Sequence, residues 1–298
     1  MGIRSSKINE NIFQIINTVA FSLILLVCLY PFYNIFITSL SDAKLAARYT
    51  VILYPLGFTL RNYQEVFGLK GLYLAFAVSV SRMVLGSAIT LFFTSMLAYT
   101  LTKSELVGRK IFYRITVTSM YLNAGLIPWY LTMRNLHLKD SFLLYILPSA
   151  VSVFSMILIK TYIEQISPAL EESAVVDGAG YFTVFLKIVI PVSTPVLAAV
   201  TVFTAVGQWN TWMDNLLLVT NHNLTTLQLL LFNYLRQAEA IVSEARSSGG
   251  KSVASGYGIT PFSIRMTVTM IVTIPILLVY PIVQKYFVSG IMLGAVKG

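Results

Sequence analysis

The chain has 298 residues, of which 56% are hydrophobic and 11% charged, with a net charge of +9. A soluble domain carries about 25% charged residues, so an ordinary water-facing surface is excluded and a polytopic membrane protein is implied. The basic residues are scattered rather than striped, which argues against nucleic acid and suits anionic lipid headgroups. Cys28 is the single cysteine, and His137 and His222 lie far apart, so the sequence offers no disulfide framework, Cys-based metal site or His dyad.

Taken in order, Met1 to Asn11 reads as a short polar tail with Arg4 and Lys7, and the apolar run 12–40, broken by Pro31, as the first span. That run is too long for the apolar region of a signal peptide. Residues 41–70 form a polar loop in which Arg61 to Phe67 suits a short interfacial helix. Further spans are expected at 72–101, which carries Arg82, and at 111–133, with Asn123, Gly125 and Pro128 inside it. The next are 141–162, with Pro148 inside, and 189–206, and the last is 262–288, with Pro275 and Pro281. Each is long enough for the roughly 20 residues a bilayer requires. Leu227 to Leu235 reads as an amphipathic patch, and Gln237 to Gly258 as the most loop-like part of the chain.

An all-α protein of six spans follows, in one domain covering 1–298, with both termini on one side. The positive-inside rule does not choose that side, because the basic residues divide evenly between the two sets of loops. The cluster Lys103, Arg109, Lys110 and Arg114 gives a slight preference for termini inside.

The stretch from Ser167 to Pro191 interrupts this pattern. Glu171, Glu172 and Asp177 are three of only twelve acidic residues, set among Ala174, Gly178, Ala179 and Gly180. The spacing predicts two short helices joined at a glycine corner. Ser167 is the cap, Pro168 stands in the first turn, and the glutamates lie near the positive end of the helix dipole. Gly178 and Gly180 are placed to end the helix and turn the chain. Tyr181, Phe182, Phe185 and Ile188 are spaced to lie along a membrane surface, and Pro191 kinks the entry to the fifth span. By spacing alone, a short helix built for a partner and an ordinary acidic loop both remain open.

The sequence E-S-A-x-x-D-G-A at Glu172–Ala179, followed by I-x-I-P at Ile188–Pro191, resembles the EAA motif of ABC importer permeases. Ser173 replaces the motif's first alanine and Ile190 its leucine, both conservative in size. Asn123–Pro128, Gly207–Trp212 and the tail Gln284–Gly298 resemble the carbohydrate-uptake class, and within it the branch importing complex oligosaccharides and polysaccharide fragments.

The resemblance implies the type I importer permease fold and a cytoplasmic coupling helix formed by Glu172–Ala179. Glu171, Glu172, Ala174, Asp177, Gly178, Ala179, Ile188 and Pro191 would then couple to an ATPase. It implies a second permease subunit, two cytoplasmic ATPase subunits that bind ATP and Mg, and an extracytoplasmic solute-binding protein. This chain would hold no cofactor or metal and catalyse nothing. It would lie in a bacterial inner membrane with both termini in the cytoplasm, importing an oligosaccharide or polysaccharide fragment, with an acidic one among the candidates.

A charge within a span faces a cavity or a partner, so Arg82 reads either as a contact for an acidic sugar or as a snorkelling or subunit-paired arginine. Gln208, Trp209, Asn210 and Trp212, with Asp214 and Asn215 beyond them, suit either sugar stacking and hydrogen bonding or an interfacial aromatic belt. Asn123 and Trp129, with Tyr121, make a weaker version of the same pattern. Gly249–Ser252 imitates the end of a P-loop but lacks the first glycine, Ala245 standing in its place, and no strand precedes it. Asn223–Thr225 matches a glycosylation acceptor, a pattern too common to carry weight. The competing class is a secondary sugar transporter or channel, which would have no use for the Glu172–Ala179 motif. An intramembrane enzyme would need an acid, nucleophile or metal cluster that the spans do not offer.

Overall fold

The computed structural model describes residues 2–247, 260 and 262–277, and every described element is a helix, turn or irregular segment. The helices are α1 (Gly2–Ser39), α2 (Ala43–Arg48), α3 (Arg61–Phe67), α4 (Leu72–Thr100), α5 (Arg109–Ser119), α6 (Leu126–Asn135) and α7 (Val153–Ile163). They continue with α8 (Pro168–Val176), α9 (Tyr181–Val184), α10 (Ile190–Val192), α11 (Thr194–Asn210), α12 (Met213–Leu218), α13 (Leu227–Ser247) and α14 (Phe262–Leu277).

Among the described residues, two helices are long and apolar enough to cross a bilayer unaided, Ile12–Ser39 within α1 and Leu72–Thr100. Large side chains of α1 face outward, Phe13 67% and Val27 71% exposed, as lipid permits. Two bent pairs also qualify: Phe142–Ser149 with Val153–Ile163, bent by 48°, and Tyr181–Val192 with Thr194–Asn210, bent by 82°.

Two compact units divide the chain. The first comprises, among the described residues, 2–70, 233–247, 260 and 262–274. Its order comes from buried side chains that close the loop after α1. Asn62 donates from Nδ2 to the carbonyls of Ser39 and Ser41, both at 2.9 Å, and Asn34 donates to the Val51 carbonyl at 2.5 Å. Ile37, Ala46 and Val51 pack beneath them, with Leu56 against the cluster.

The second unit comprises, among the described residues, 71–232 and 275–277. Its axis is α4, whose buried positions are mostly small: Ser79, Gly86, Ser87, Thr90, Thr94, Ser95 and Ala98. Helical spacing puts these on one side, and small side chains let neighbouring backbones approach without steric cost. Met156, Ile159 and Ile163 of α7 join Ala98, Tyr99, Leu101, Val184, Phe185, Val189 and Val200 in one buried cluster.

Several segments depart from the sequence reading. The stretch 111–133 is two helices, not one. Residues 120–125 are non-helical, and Gly125 takes φ +85° and ψ 178°, a conformation closed to side-chain-bearing residues. Asn123 secures the break by accepting from the Gly125 amide at 2.9 Å, and Pro128 stands in the first turn of α6, where its missing N–H is no loss. The stretch 141–162 begins as two 3₁₀ turns, Phe142–Tyr145 and Leu147–Ser149, before α7.

Before 189–206, a π-turn at Phe185–Val189 precedes Pro191, and the sharp bend falls at Ser193. Pro195 there lacks the amide that would have bonded the Pro191 carbonyl, and Thr194 Oγ1 donates to that carbonyl at 2.7 Å. Residues 237–247, expected as loop, continue α13, where Glu239 pairs with Arg265. The remainder of 237–258, the Gly249–Ser252 stretch, the end of 262–288 and the tail Gln284–Gly298 lie outside the described residues.

Candidate functional site

The Ser167–Pro191 stretch forms an exposed helix closed at a left-handed corner. Pro168 opens α8 at its first turn, and Ser167 holds the cap position without a side-chain hydrogen bond to the helix, contrary to its expected capping role. The C-terminus is a Schellman motif. The Ala179 amide donates to the Ala174 carbonyl at 2.9 Å and the Gly178 amide to the Val175 carbonyl at 3.0 Å. Gly178 supplies the required φ of +86°, whereas Gly180 sits at −75° and needs no glycine-specific conformation.

The two glutamates divide. Glu171 turns toward the end of α4, pairing with Lys103 and accepting from the Tyr99 hydroxyl at 3.3 Å. Glu172 is exposed and makes no hydrogen bond or ion pair among the described residues. Asp177 and Val176 are also exposed, Val176 at 86%. Ala174, Ala179 and Ile188 rest against the buried cluster, and Phe185 stacks on Tyr99 at 5.5 Å. Phe185 is therefore a core residue, while Tyr181 and Phe182 stay exposed. Charged and apolar atoms are exposed on the outer face of α8, and its inner face packs against the bundle.

A second feature lies farther along the same unit. A cavity of about 620 Å³ is lined by α4, α6, α7, α11, α12 and the 3₁₀ turns before α7. Its wall carries a buried ion pair, Arg82 with Asp214. Arg82 is 3% exposed and Asp214 7%. The guanidinium also donates from Nε to Gln208 Oε1 at 3.0 Å and from Nη1 to the Thr211 carbonyl at 3.1 Å, and it lies 4.6 Å from the Tyr145 ring centroid.

Gln208 donates onward to Ser149 Oγ at 2.6 Å. Tyr145 donates to the Leu224 carbonyl at 2.6 Å and accepts from Asn215 at 2.7 Å. Asn215 in turn accepts from the Thr226 amide at 2.9 Å. An arginine alone at mid-bilayer costs at least about 2.5–3.5 kcal/mol. Here nearly every donor has a directed acceptor, so the charge is tolerable.

Of the path residues expected from sequence, Arg82, Trp129 and Gln208 line this cavity. The others do not. Trp209 is buried edge-on to Phe76 at 6.1 Å, Trp212 stacks on Phe232 at 4.5 Å, and Asn210 is exposed. Asn123 holds the α5–α6 break, outside the cavity lining. Tyr145, Ser149, Phe154 and Phe203 also line the wall, outside the path residues expected from sequence. Asp214 was the readable clue, since an acid close to an otherwise apolar span asks for a basic partner.

No family model matches the chain. It is 36% identical to the polygalacturonan/rhamnogalacturonan transport system permease protein YtcP of Bacillus subtilis over 92% of this chain and 94% of that one. It is also 24% identical to the arabinooligosaccharides transport system permease protein AraQ of Halalkalibacterium halodurans, over 94% and 95% of the two chains. Among solved structures, it matches a chain of a bacterial ABC transporter involved in the import of the acidic polysaccharide alginate. The TM-score is 0.79 at 30% identity, covering 94% of this chain and 98% of that one. The chain is an integral membrane protein and belongs to the permease subunits of ABC carbohydrate importers.

Proposed function

We propose that this chain forms one half of a saccharide translocation path and that α8 is its cytoplasmic coupling helix, seated in a cleft of an ATPase subunit. The observation that carries the reading is the build of α8: a short exposed helix closed by the Gly178 corner, with Glu172 free on the outside. A rigid, exposed helix of this kind can pass a push from a partner into the bundle behind it.

Six crossings follow if α1, α4, α5–α6, the two bent pairs and the segment beginning with α14 each span once. With α8 inside, both termini are cytoplasmic, in a bacterial inner membrane. The partners are a second permease subunit, two ATPase subunits that bind ATP and Mg, and an extracytoplasmic solute-binding protein. This chain contributes no catalytic group. The cargo is an oligosaccharide or polysaccharide fragment, in keeping with the cargoes named for its relatives.

The cavity suits a sugar chemically. Trp129, Tyr145, Phe154 and Phe203 offer apolar faces, and Ser149, Ser152, Thr204, Thr211 and Gln208 offer hydrogen-bonding groups. Arg82 enters this path already neutralised by Asp214. Alternating access would require α8 to make different contacts with the ATPase in two states.

Purification of the tagged chain from its native membrane tests the reading. An ATPase that copurifies, and whose hydrolysis rises with a saccharide-loaded binding protein, is the expected result. A chain that carries saccharide across vesicles with no ATPase present would sink it.

A further inference from the structure

We infer that Lys103, Tyr99 and Glu171 form a clamp that makes α8 and α4 move as one body, so that α4 is the rod carrying ATPase motion to the cavity wall. The inference rests on α8 being the coupling helix and names the residues through which its motion enters the bundle.

Glu171 and Lys103 pair at the point where α4 ends, with side chains only 20% and 19% exposed. The Lys103 ammonium also lies 4.1 Å from the centroid of the Tyr99 ring, whose hydroxyl donates to the same carboxylate oxygen of Glu171 at 3.3 Å. A cation is thus held between a carboxylate and an aromatic face, and the carboxylate between a cation and a phenol. Charge-assisted contacts of this type are about twice as strong as neutral hydrogen bonds, and partial burial limits screening by salt. Tyr99 is 4% exposed and stacks on Phe185, which follows the glycine corner, so the clamp grips both sides of the α8 turn.

The neighbouring acid makes the assignment specific. Glu172 and Asp177 point away from the bundle and remain available to a partner, while Glu171 is committed to its own chain. The acidic pair therefore has two jobs, one outward and one inward.

In its first half α4 carries Arg82, about 26 Å from Tyr99 along the helix axis at 1.5 Å per residue. α4 is unbroken over that distance. Arg82 grips Asp214 and Gln208 in the cavity wall, at the junction of α11 and α12. A displacement of α8 that Glu171 passes to α4 thus reaches the cavity through two ion pairs on one rod. Glu171, Lys103 and Tyr99 are positioning residues, since none of them touches cargo or nucleotide.

The test uses the assembled importer in lipid nanodiscs, with Cys28 replaced by serine and nitroxides at Ser173→Cys on α8 and Thr100→Cys on α4, both exposed. Electron paramagnetic resonance reads their separation without nucleotide and after trapping with ATP and vanadate. The expected result is one narrow distribution that is the same in both states. Lys103→Met or Glu171→Gln should broaden it, and the exchange Glu171→Lys with Lys103→Glu should narrow it again.

Lys103→Arg keeps the charge and should retain the narrow distribution, so the measurement survives poor assembly of the neutral variants. Separation of the unaltered pair by more than a few ångströms on trapping overturns the clamp. So does an unchanged distribution in Lys103→Met, a broadened one in Lys103→Arg, or an exchange that does no better than the single variants. If no ATPase copurifies with the unaltered chain, the proposed function fails and the clamp with it. If one copurifies and the distances misbehave, only the clamp falls.

Discussion

Arg82 and Asp214 stand 132 residues apart in the chain and meet as a two-pronged pair, Nη1 to Oδ1 at 3.1 Å and Nη2 to Oδ2 at 2.6 Å. This geometry satisfies both carboxylate oxygens and fixes the guanidinium plane, which a lysine at position 82 would not do. Among the described residues, Arg82 and Asp214 are the only charged ones lining the cavity, so together they leave that wall with no net charge.

The first prediction concerns that pairing. Arg82→Met or Asp214→Asn alone leaves a buried group uncompensated, which costs about 3–5 kcal/mol. Replacing both with apolar residues of similar volume should recover most of that loss. Thermal unfolding of the detergent-solubilised importer measures the cycle. Because the pair is neutral as a unit, Arg82→Met should lower uptake of uronate and neutral oligosaccharides alike. Loss confined to the acidic cargo would mean that Arg82 acts as a free cation.

Gly86 makes room for Gln208. A methyl group at position 86 would lie 2.7 Å from Gln208 Nε2 and 3.2 Å from its Cγ. The amide end cannot swing aside cheaply, since it holds both Arg82 and Ser149. Gly86→Ala should therefore destabilise by about 1–3 kcal/mol through overpacking. Gly86→Ala with Gln208→Ala relieves the clash but loses the Arg82 contact, so it should recover only part of the stability. A fully additive pair of losses would show that the two sites do not touch.

Legibility followed the range of the signal. The short helix Arg61–Phe67 was readable because turn residues and aromatics bracket it locally. The corner at Gly178 was readable because glycine takes the positive φ that closes a helix at the least cost. The break at residues 120–125 was missed because hydropathy averages over it, although Asn123, Gly125 and Pro128 carry the local chemistry that opens the helix. Residues 237–247 look loop-like in composition, yet they extend a helix already begun at Leu227. Arg82 stood out as a charge needing an explanation. Asp214 was visible too, as an acid beyond the fifth span, but their pairing was not legible because nothing local ties position 82 to position 214.

Gly178 tests the corner itself. A Cβ added there meets nothing within 4 Å, so any effect is one of backbone conformation and not of crowding. Forcing a side-chain-bearing residue to φ +86° costs about 1–2 kcal/mol, and more for a β-branched one. Gly178→Val should fray the end of α8 and lower the ratio of saccharide transported to ATP hydrolysed, with membrane insertion kept. Gly178→Asn, which tolerates the left-handed region, should fall between valine and glycine. Normal transport by Gly178→Val would remove the corner from the mechanism.

Asp140 gives a pH prediction outside the spans. It adopts φ +55° and accepts from the Thr220 amide at 2.5 Å, the Thr220 hydroxyl at 2.7 Å and the Asn221 amide at 2.9 Å. The Thr220 hydroxyl is the largest influence holding its carboxyl below the ordinary carboxylate range, with the Asn221 and Thr220 amides adding to it. A depressed folded-state pKa means that the stabilisation is present above the unfolded value and disappears as pH falls through the folded one. Protection of the Thr220 and Asn221 amides from hydrogen exchange, corrected for intrinsic rates, should be constant near neutrality. It should collapse only below the usual aspartate range, about pH 4. Asp140→Asn keeps a residue that accepts positive φ while removing the charge. Its amides should be less protected at neutral pH and should show no further loss on acidification. Equal protection in both proteins at pH 7 would mean that the carboxylate charge does not hold this loop.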